Sequence, residues 1–310
     1  MGSEADTGGQ SVFGTRSVSV GLACWLAVPA NPAWPESSRC GDGSGVQGLV
    51  STEYAFAASA RTSIRAAFLE YLAEDSLVLQ PNPRPGRALY TAAKDTSDRL
   101  EWYPAIADIA GSNDLGFTTG PWVYTEAGGA KSYGDFLTVW KRDSDCRWRV
   151  ELDGGISHAE PANAESKLAP DRDEDGRRAI DEPSPTLVAA DAVGHAMRDF
   201  QGTAAGDGVA AGLRTYARNG DFRFYAEGEA PMGLGAANTY LTGHPLRGVW
   251  TENGHGRAAD SSLAYSVGEF GEPRKPGYAY VEIWQYDPKV ANWGLRILLL
   301  SPLPPPKTKS

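Results

Sequence analysis

The 310-residue sequence has little of what metal and redox chemistry needs. It holds three cysteines (Cys24, Cys40, Cys146) and four histidines (His158, His195, His244, His255). No C-x-x-C or H-E-x-x-H joins them, which argues against structural zinc and thioredoxin-type exchange. G-x-S-x-G and P-loop signatures are absent, which disfavours serine-hydrolase and nucleotide-phosphoryl chemistry. Basic residues are outnumbered, 29 Lys and Arg against 39 Asp and Glu, for a net charge of −10. Nucleic acid is therefore not an expected partner, since such binders cluster positive charge. No apolar run approaches the roughly 18 residues of a membrane span. Present in quantity are Gly (36), Pro (21) and aromatics (10%), within a hydrophobic fraction of 41%. That composition builds a core and favours turns and strands over long helices. The length allows two domains.

Residues 18–30, VSVGLACWLAVPA, form a 13-residue apolar run after Arg16, with Val28-Pro29-Ala30 as a small-residue cleavage site. This reads as a signal-like leader, against which stand Glu4, Asp6 and the bulk of Trp25. It predicts a secreted or periplasmic protein; the alternative is a disordered leader or a misplaced start. Once the leader is removed, Cys40 and Cys146 remain, to pair or to stay as unrelated thiols.

The chain repeats itself. LGFTTGPWVY (115–124) lines up with LAYSVGEFGE (263–272), and the stretch 136–155 with 279–300. Trp102 pairs with Trp250, Phe117 with Tyr265, Gly120 with Gly268, Trp140 with Trp284 and Trp148 with Trp293. Upstream, 68–79 matches 213–225, with Tyr71 opposite Tyr216. Each copy opens with helical spacing: Ile64, Phe68, Leu69 and Leu72 in the first, Val193, Met197 and Phe200 in the second. In the first copy Ser51 is placed to cap a helix whose third residue is Tyr54, ahead of the Ile64 stripe. Alternating strands follow, with turns at Asn113-Asp114 and at 143–146. Helices followed by a strand meander predict two α+β domains, each with N-terminal helices on a curved antiparallel sheet that encloses a cone-shaped cavity. The expected division is a leader and lead-in over 1–45, domains over 46–160 and 186–305, an acidic linker over 161–185 and a tail over 306–310.

The segments AFAASA…AFLEYLAEDS, LGFTTGPW and VWKR…WRVELD resemble the SnoaL-like domains of the nuclear transport factor 2-like superfamily. The likeness spans Tyr54–Ser76, Leu100–Tyr124 and Tyr133–Asp153, and more loosely Phe222–Tyr225, Val249–Glu269 and Tyr280–Pro305. The resemblance implies a cone fold and, because members often dimerise through the open sheet face, an internal pseudo-dimer of the repeats. It says almost nothing of activity, since the superfamily holds isomerases, dehydratases, hydrolases, cyclases and non-catalytic binders. No cofactor is implied.

Acid–base work in such a cavity needs a carboxyl or His among apolar residues, where desolvation moves its pKa toward neutrality. Asp108 shares the parity of Leu100, Trp102 and Ile106, or else caps its strand. Asp153 ends the last strand on the polar parity, unless a bulge turns it. His158 follows in a loop and is otherwise a solvated histidine. Trp102, Trp122, Tyr124 and Tyr71 are candidate ligand contacts, or ordinary core. In the second copy Asp108 aligns with Gly256 and Asp153 with Leu298, so catalysis is expected in the first. Glu252, His255, Asp260 and His244 fall in a Gly-rich stretch read as loop.

GSGVQG (43–48) follows no strand and fails as a dinucleotide fingerprint. Asp171, Asp173, Asp175 and Glu182 have calcium-loop spacing, but Pro170 and Pro183 deny flanking helices and Arg residues oppose a cation. A solvated linker is the competing reading. The expectation is a protein that binds a small apolar or aromatic ligand. One alternative is a cofactor-independent isomerase, dehydratase, cyclase or hydrolase; another is an interaction module with filled cavities.

Overall fold

A computed structural model describes residues 45–161, 192–218 and 220–304. The signal-like leader, most of the acidic linker with its carboxylate quartet, and the tail lie outside these residues, as do Cys24 and Cys40. Cys146 is disulfide-bonded.

The first half runs α1 (Val46–Ala60), α2 (Ile64–Tyr71), β1 (Leu72–Leu79), β2 (Pro83–Pro85), α3 (Gly86–Ala92), β3 (Arg99–Trp102), β4 (Ile106–Ile109), β5 (Leu115–Thr125), β6 (Lys131–Arg142) and β7 (Trp148–His158). The second runs α4 (Ala192–Asp207), α5 (Val209–Tyr216), β8 (Arg223–Ala226), α6 (Leu234–Gly243), β9 (Val249–Arg257), β10 (Leu263–Glu272), β11 (Lys275–Asp287) and β12 (Asn292–Pro302). Two α+β halves therefore share one order of elements, helices before a meander of long strands.

Three local readings are corrected. Ser51 lies inside α1, which begins five residues earlier; the cap that forms is Ser63, whose hydroxyl accepts from the Ala66 amide at the head of α2. The Gly-rich stretch holding Glu252 and His255 is strand β9, exposed on most of its length. Each sheet also has one parallel pair, β1 with β7 and β8 with β12, because the helices carry the chain across before the meander begins.

The registers of the two sheets match along most of their length. Trp102 faces Trp122 as Trp250 faces Phe270. Asp108 faces Phe117 as Gly256 faces Tyr265. Thr138 faces Asp153 as Glu282 faces Leu298. Both sheets carry a register shift at one equivalent place, between Val139 and Trp140 and between Ile283 and Trp284. Gly120 and Gly268 serve one purpose: a Cβ there would lie 2.2 Å from the Tyr103 carbonyl oxygen and 2.1 Å from that of Thr251. The neighbouring backbone crosses so closely that only hydrogen fits.

The sheets pack face to face. Phe117, Leu137, Val139 and Leu152 of the first join Tyr265, Val267, Ile283 and Leu299 of the second in one core cluster. The opposite face of each sheet is covered by its own helices, in two further clusters. The central strands are thus buried on both faces, which is why β6 and β11 read as near-continuous buried runs rather than alternating ones. Polar bonds cross between the sheets. Thr119 Oγ1 and Tyr225 Oη lie 2.9 Å apart, and Gln285 donates to Asp108 at 3.0 Å.

Gly120→Ala and Gly268→Ala should each cost about 1–3 kcal/mol through overpacking against backbone. Gly277→Ala, where nothing lies within 4 Å of the added carbon, should stay within about 0.5 kcal/mol. Denaturant unfolding of the three variants checks this.

Candidate functional site

Between the first sheet and its helices lies a cavity of about 350 Å³. Trp102, Trp122, Tyr124, Phe136, Phe68 and Tyr90 wall it, and Asp153 and Thr138 provide its polar floor. Glycines 154 and 155 also line it, leaving room on β7.

The backbone explains how Asp153 comes to face this space. Strict alternation would leave it with Arg149 and Glu151. The register shift on β6 matches Trp140 to Val150 and Val139 to Leu152, so Glu151 is the extra residue of a bulge. Beyond the bulge the parity reverses. Trp148 and Val150 lie on the helix side, Leu152 and Ile156 on the sheet–sheet side. Asp153 then falls on the helix side, inside the cone.

Thr138 Oγ1 donates to Asp153 Oδ1 at 2.8 Å. Desolvation lifts this carboxyl to about 7; the Thr138 bond opposes the rise and the nearby Glu53 adds to it. Asp153 is half-buried and lines the cavity. Beside it Tyr90, stacked on Phe68 at 4.1 Å, has its phenol pushed up by burial and by the Asp153 charge, so it stays a neutral donor.

The aromatic walls are held from behind. Glu53, at 0% exposure, accepts from Trp102 Nε1 at 2.6 Å, Thr118 Oγ1 at 2.5 Å and Trp140 Nε1 at 3.0 Å. Burial raises its pKa and those three donors oppose the rise. Tyr124 Oη donates to Asp98 at 2.6 Å, which holds Asp98 below the usual carboxylate range and pushes the phenol up to about 12.

Of the residues singled out from the sequence, Asp153, Trp102, Trp122 and Tyr124 meet at this cavity. The others do not. Asp108 is 9% exposed and faces the second half, beside Gln285 and Arg296; burial raises its carboxyl and those two neighbours oppose the rise. It belongs to the sheet–sheet contact because its partner on β5, Phe117, points there. His158 is on β7, not in a loop. Its Nε2 lies 2.9 Å from Asp135 Oδ2 and its Nδ1 2.7 Å from the Ala159 carbonyl, which ties it to the end of the sheet. Tyr71, at the end of α2, packs on Phe56 and Trp140 outside the lining. Asp171, Asp173, Asp175 and Glu182 lie outside the described residues, among which no group of three metal-ligating side chains occurs.

Sequence reasoning missed Glu53, Tyr90 and Glu282. Glu53 lies on the stripe Leu49, Glu53, Phe56, Ala60 that α1 buries, which was legible as an acid at helical spacing among apolar residues. Glu282 sits between Tyr280 and Trp284 on one strand parity. It accepts from Trp284 Nε1 at 2.8 Å and Gln201 at 3.1 Å, and burial lifts it to about 7. The second half therefore has a buried acid of its own, on β11 rather than at the Asp153 position. Its equivalent positions are filled: Phe224 stands where the first half has Val78, Leu298 where it has Asp153, Leu300 where it has Gly155, and all join one core cluster.

No protein-family model matches the sequence, and no curated protein matches it. Solved structures do. A nuclear transport factor 2-like protein with a cystatin-like fold from Novosphingobium aromaticivorans aligns at 15% identity and TM-score 0.28, over 40% of this chain and 88% of that one. A nuclear transport factor 2-like protein of unknown function from Pseudomonas putida aligns at 11% identity and TM-score 0.29, over 40% and 92%. The association domain of C. elegans CaMKII aligns at 14% identity and TM-score 0.29, over 35% and 92%.

Because the folded carboxyl of Asp153 holds its proton to higher pH than an unfolded one, its ionisation costs stability as pH rises from about 4 to 7. Asp153→Asn stays neutral. Relative to the parent, it should therefore gain stability across that window and keep the gain at pH 8, with no such gain below pH 4. Urea midpoints measured along the pH range decide this.

Proposed function

We propose that the first half binds a small, largely apolar molecule in its cavity, and that the second half is its structural partner in an internal pseudo-dimer of two tandem SnoaL-like domains. The observation that carries this reading is the asymmetry of the two interiors. Matching positions are small and line the cavity in the first half, at Val78 and Gly155, and are filled in the second by Phe224 and Leu300. A packed interior is the stable default, and a hollow one lined mainly by rings, with a few polar groups such as Asp153, Thr138, Gln80 and Ser157, is the usual form of a ligand site. The alternative of an interaction module with filled cavities suits the second half alone.

A second reading has Asp153 transferring a proton, as in a cofactor-independent isomerase, dehydratase, cyclase or hydrolase. It is favoured by the position of that carboxyl at about 7, where acid and base forms are both populated near neutrality. Tyr90 would then donate to the oxygen on which charge develops. Export remains the reading of the N-terminal run, and the disulfide at Cys146 supports it, since such bonds persist in oxidising compartments.

Native mass spectrometry of the full chain should show a co-purifying small molecule. Val78→Phe, which copies Phe224, should lose that molecule or weaken its binding by at least about tenfold with the circular dichroism unchanged. Retention at full occupancy in Val78→Phe would remove the cavity as the binding site. Once a substrate is in hand, Asp153→Asn should lower kcat by about 100-fold or more under the second reading; unchanged turnover leaves binding alone.

A further inference from the structure

Taken as the binding site proposed above, the cavity has an electrostatic character that narrows its ligand. Among the described residues, no Lys, Arg or His lines it. Asp153 is the acid that reaches it, and Thr138 engages one oxygen of that carboxyl. Among the described residues, the groups acting electrostatically on Asp153 include Glu53, another acid, and no cation. Two of the walls carry acids on their far side: Trp102 donates its indole N–H to Glu53, and Tyr124 its hydroxyl to Asp98. Each such bond leaves the ring richer in electron density. The space is thus bounded by electron-rich rings and by a carboxyl that has no counter-ion among the described residues.

A neutral occupant would bury that carboxyl without a partner or hold it protonated; an anionic one would meet it with like charge. A cation supplies the missing partner, and aromatic faces attract it further. We infer that the cavity is built for an organic cation, an ammonium group carried on an apolar or aromatic body. The ammonium donates to the free oxygen of Asp153, and the body lies among Trp102, Trp122, Phe136 and Phe68. No covalent step is involved. Because free Asp153 is largely protonated below neutrality and must ionise to pair with the ammonium, binding at pH 6 releases a proton. Glu53 and Tyr90 are the titratable groups beside it.

The test is calorimetric titration of the full chain with a matched pair, 2-(1-naphthyl)ethylammonium and 2-(1-naphthyl)ethanol, which differ in the cation alone. At pH 8 the ammonium should bind at least about tenfold more tightly than the alcohol. Asp153→Asn should erase that preference to within roughly threefold while still binding the alcohol, which shows that the variant is folded. Heats at pH 6 in two buffers of different ionisation enthalpy should reveal proton release with the ammonium and none with the alcohol. An alcohol that binds as tightly as the ammonium, in a Val78-dependent way, overturns the cation and leaves the cavity reading standing. No heat from either probe, with no co-purifying molecule in the native spectrum, overturns both.

Discussion

Burial of one sheet face against the other is the constraint on which the rest of the structure depends. A strand buried on one face can be polar on alternate residues. Here Phe117, Leu137 and Val139 give one face to Tyr265, Val267 and Ile283, while the helices take the other. Hydrophobic burial of this extent supplies the main favourable term of folding. It also forces every polar group at the contact to find a partner. Asp108 and Gln285, Thr119 and Tyr225, and Tyr265 and Glu151 answer that demand, each pair spanning the two halves.

The same constraint shapes the cavity. Strands buried on both sides need a device to change which face a side chain meets, and the device is the bulge on the last strand of each sheet. In the first half it leaves Glu151 unpaired within the ladder and free to accept from Tyr265. In the second, the equivalent residue is Arg296, which lies near Asp108. Each bulge residue thus reaches across to the opposite half, and the residues after it switch sides. Asp153 enters the cone by this route, and Leu298 does so in the second half.

The broad architecture was legible because tryptophans, glycines and strand lengths recur at near-constant offsets. Gly120 and Gly268 mark the same close crossing, and Trp102 and Trp250 the same first strand pairing. The interior of the site was less so. Parity alone put Asp108 with the apolar residues, yet the apolar face it joined is the one between the sheets. Parity put Asp153 outside, because a one-residue bulge carries no clear mark in sequence. Glu282 obeys the rule that singled out Asp108, an acid on an apolar parity, and was within reach of it. Glu53 was harder to see because the expected helix began six residues too late, which left Leu49 out of the stripe on which it lies.

Leu298 opposite Asp153 has a consequence for how such a molecule can vary. In an assembly of two identical chains, every amino-acid replacement is made twice, so hollowing one subunit hollows its mate. A polypeptide that carries both sheets is released from that bookkeeping. One side can hold bulky aliphatics and act as a buttress, while the other exchanges leucine for aspartate and glycine and tolerates the void. Asymmetry between the halves at these ladder positions is thus open to a single polypeptide and closed to two identical chains.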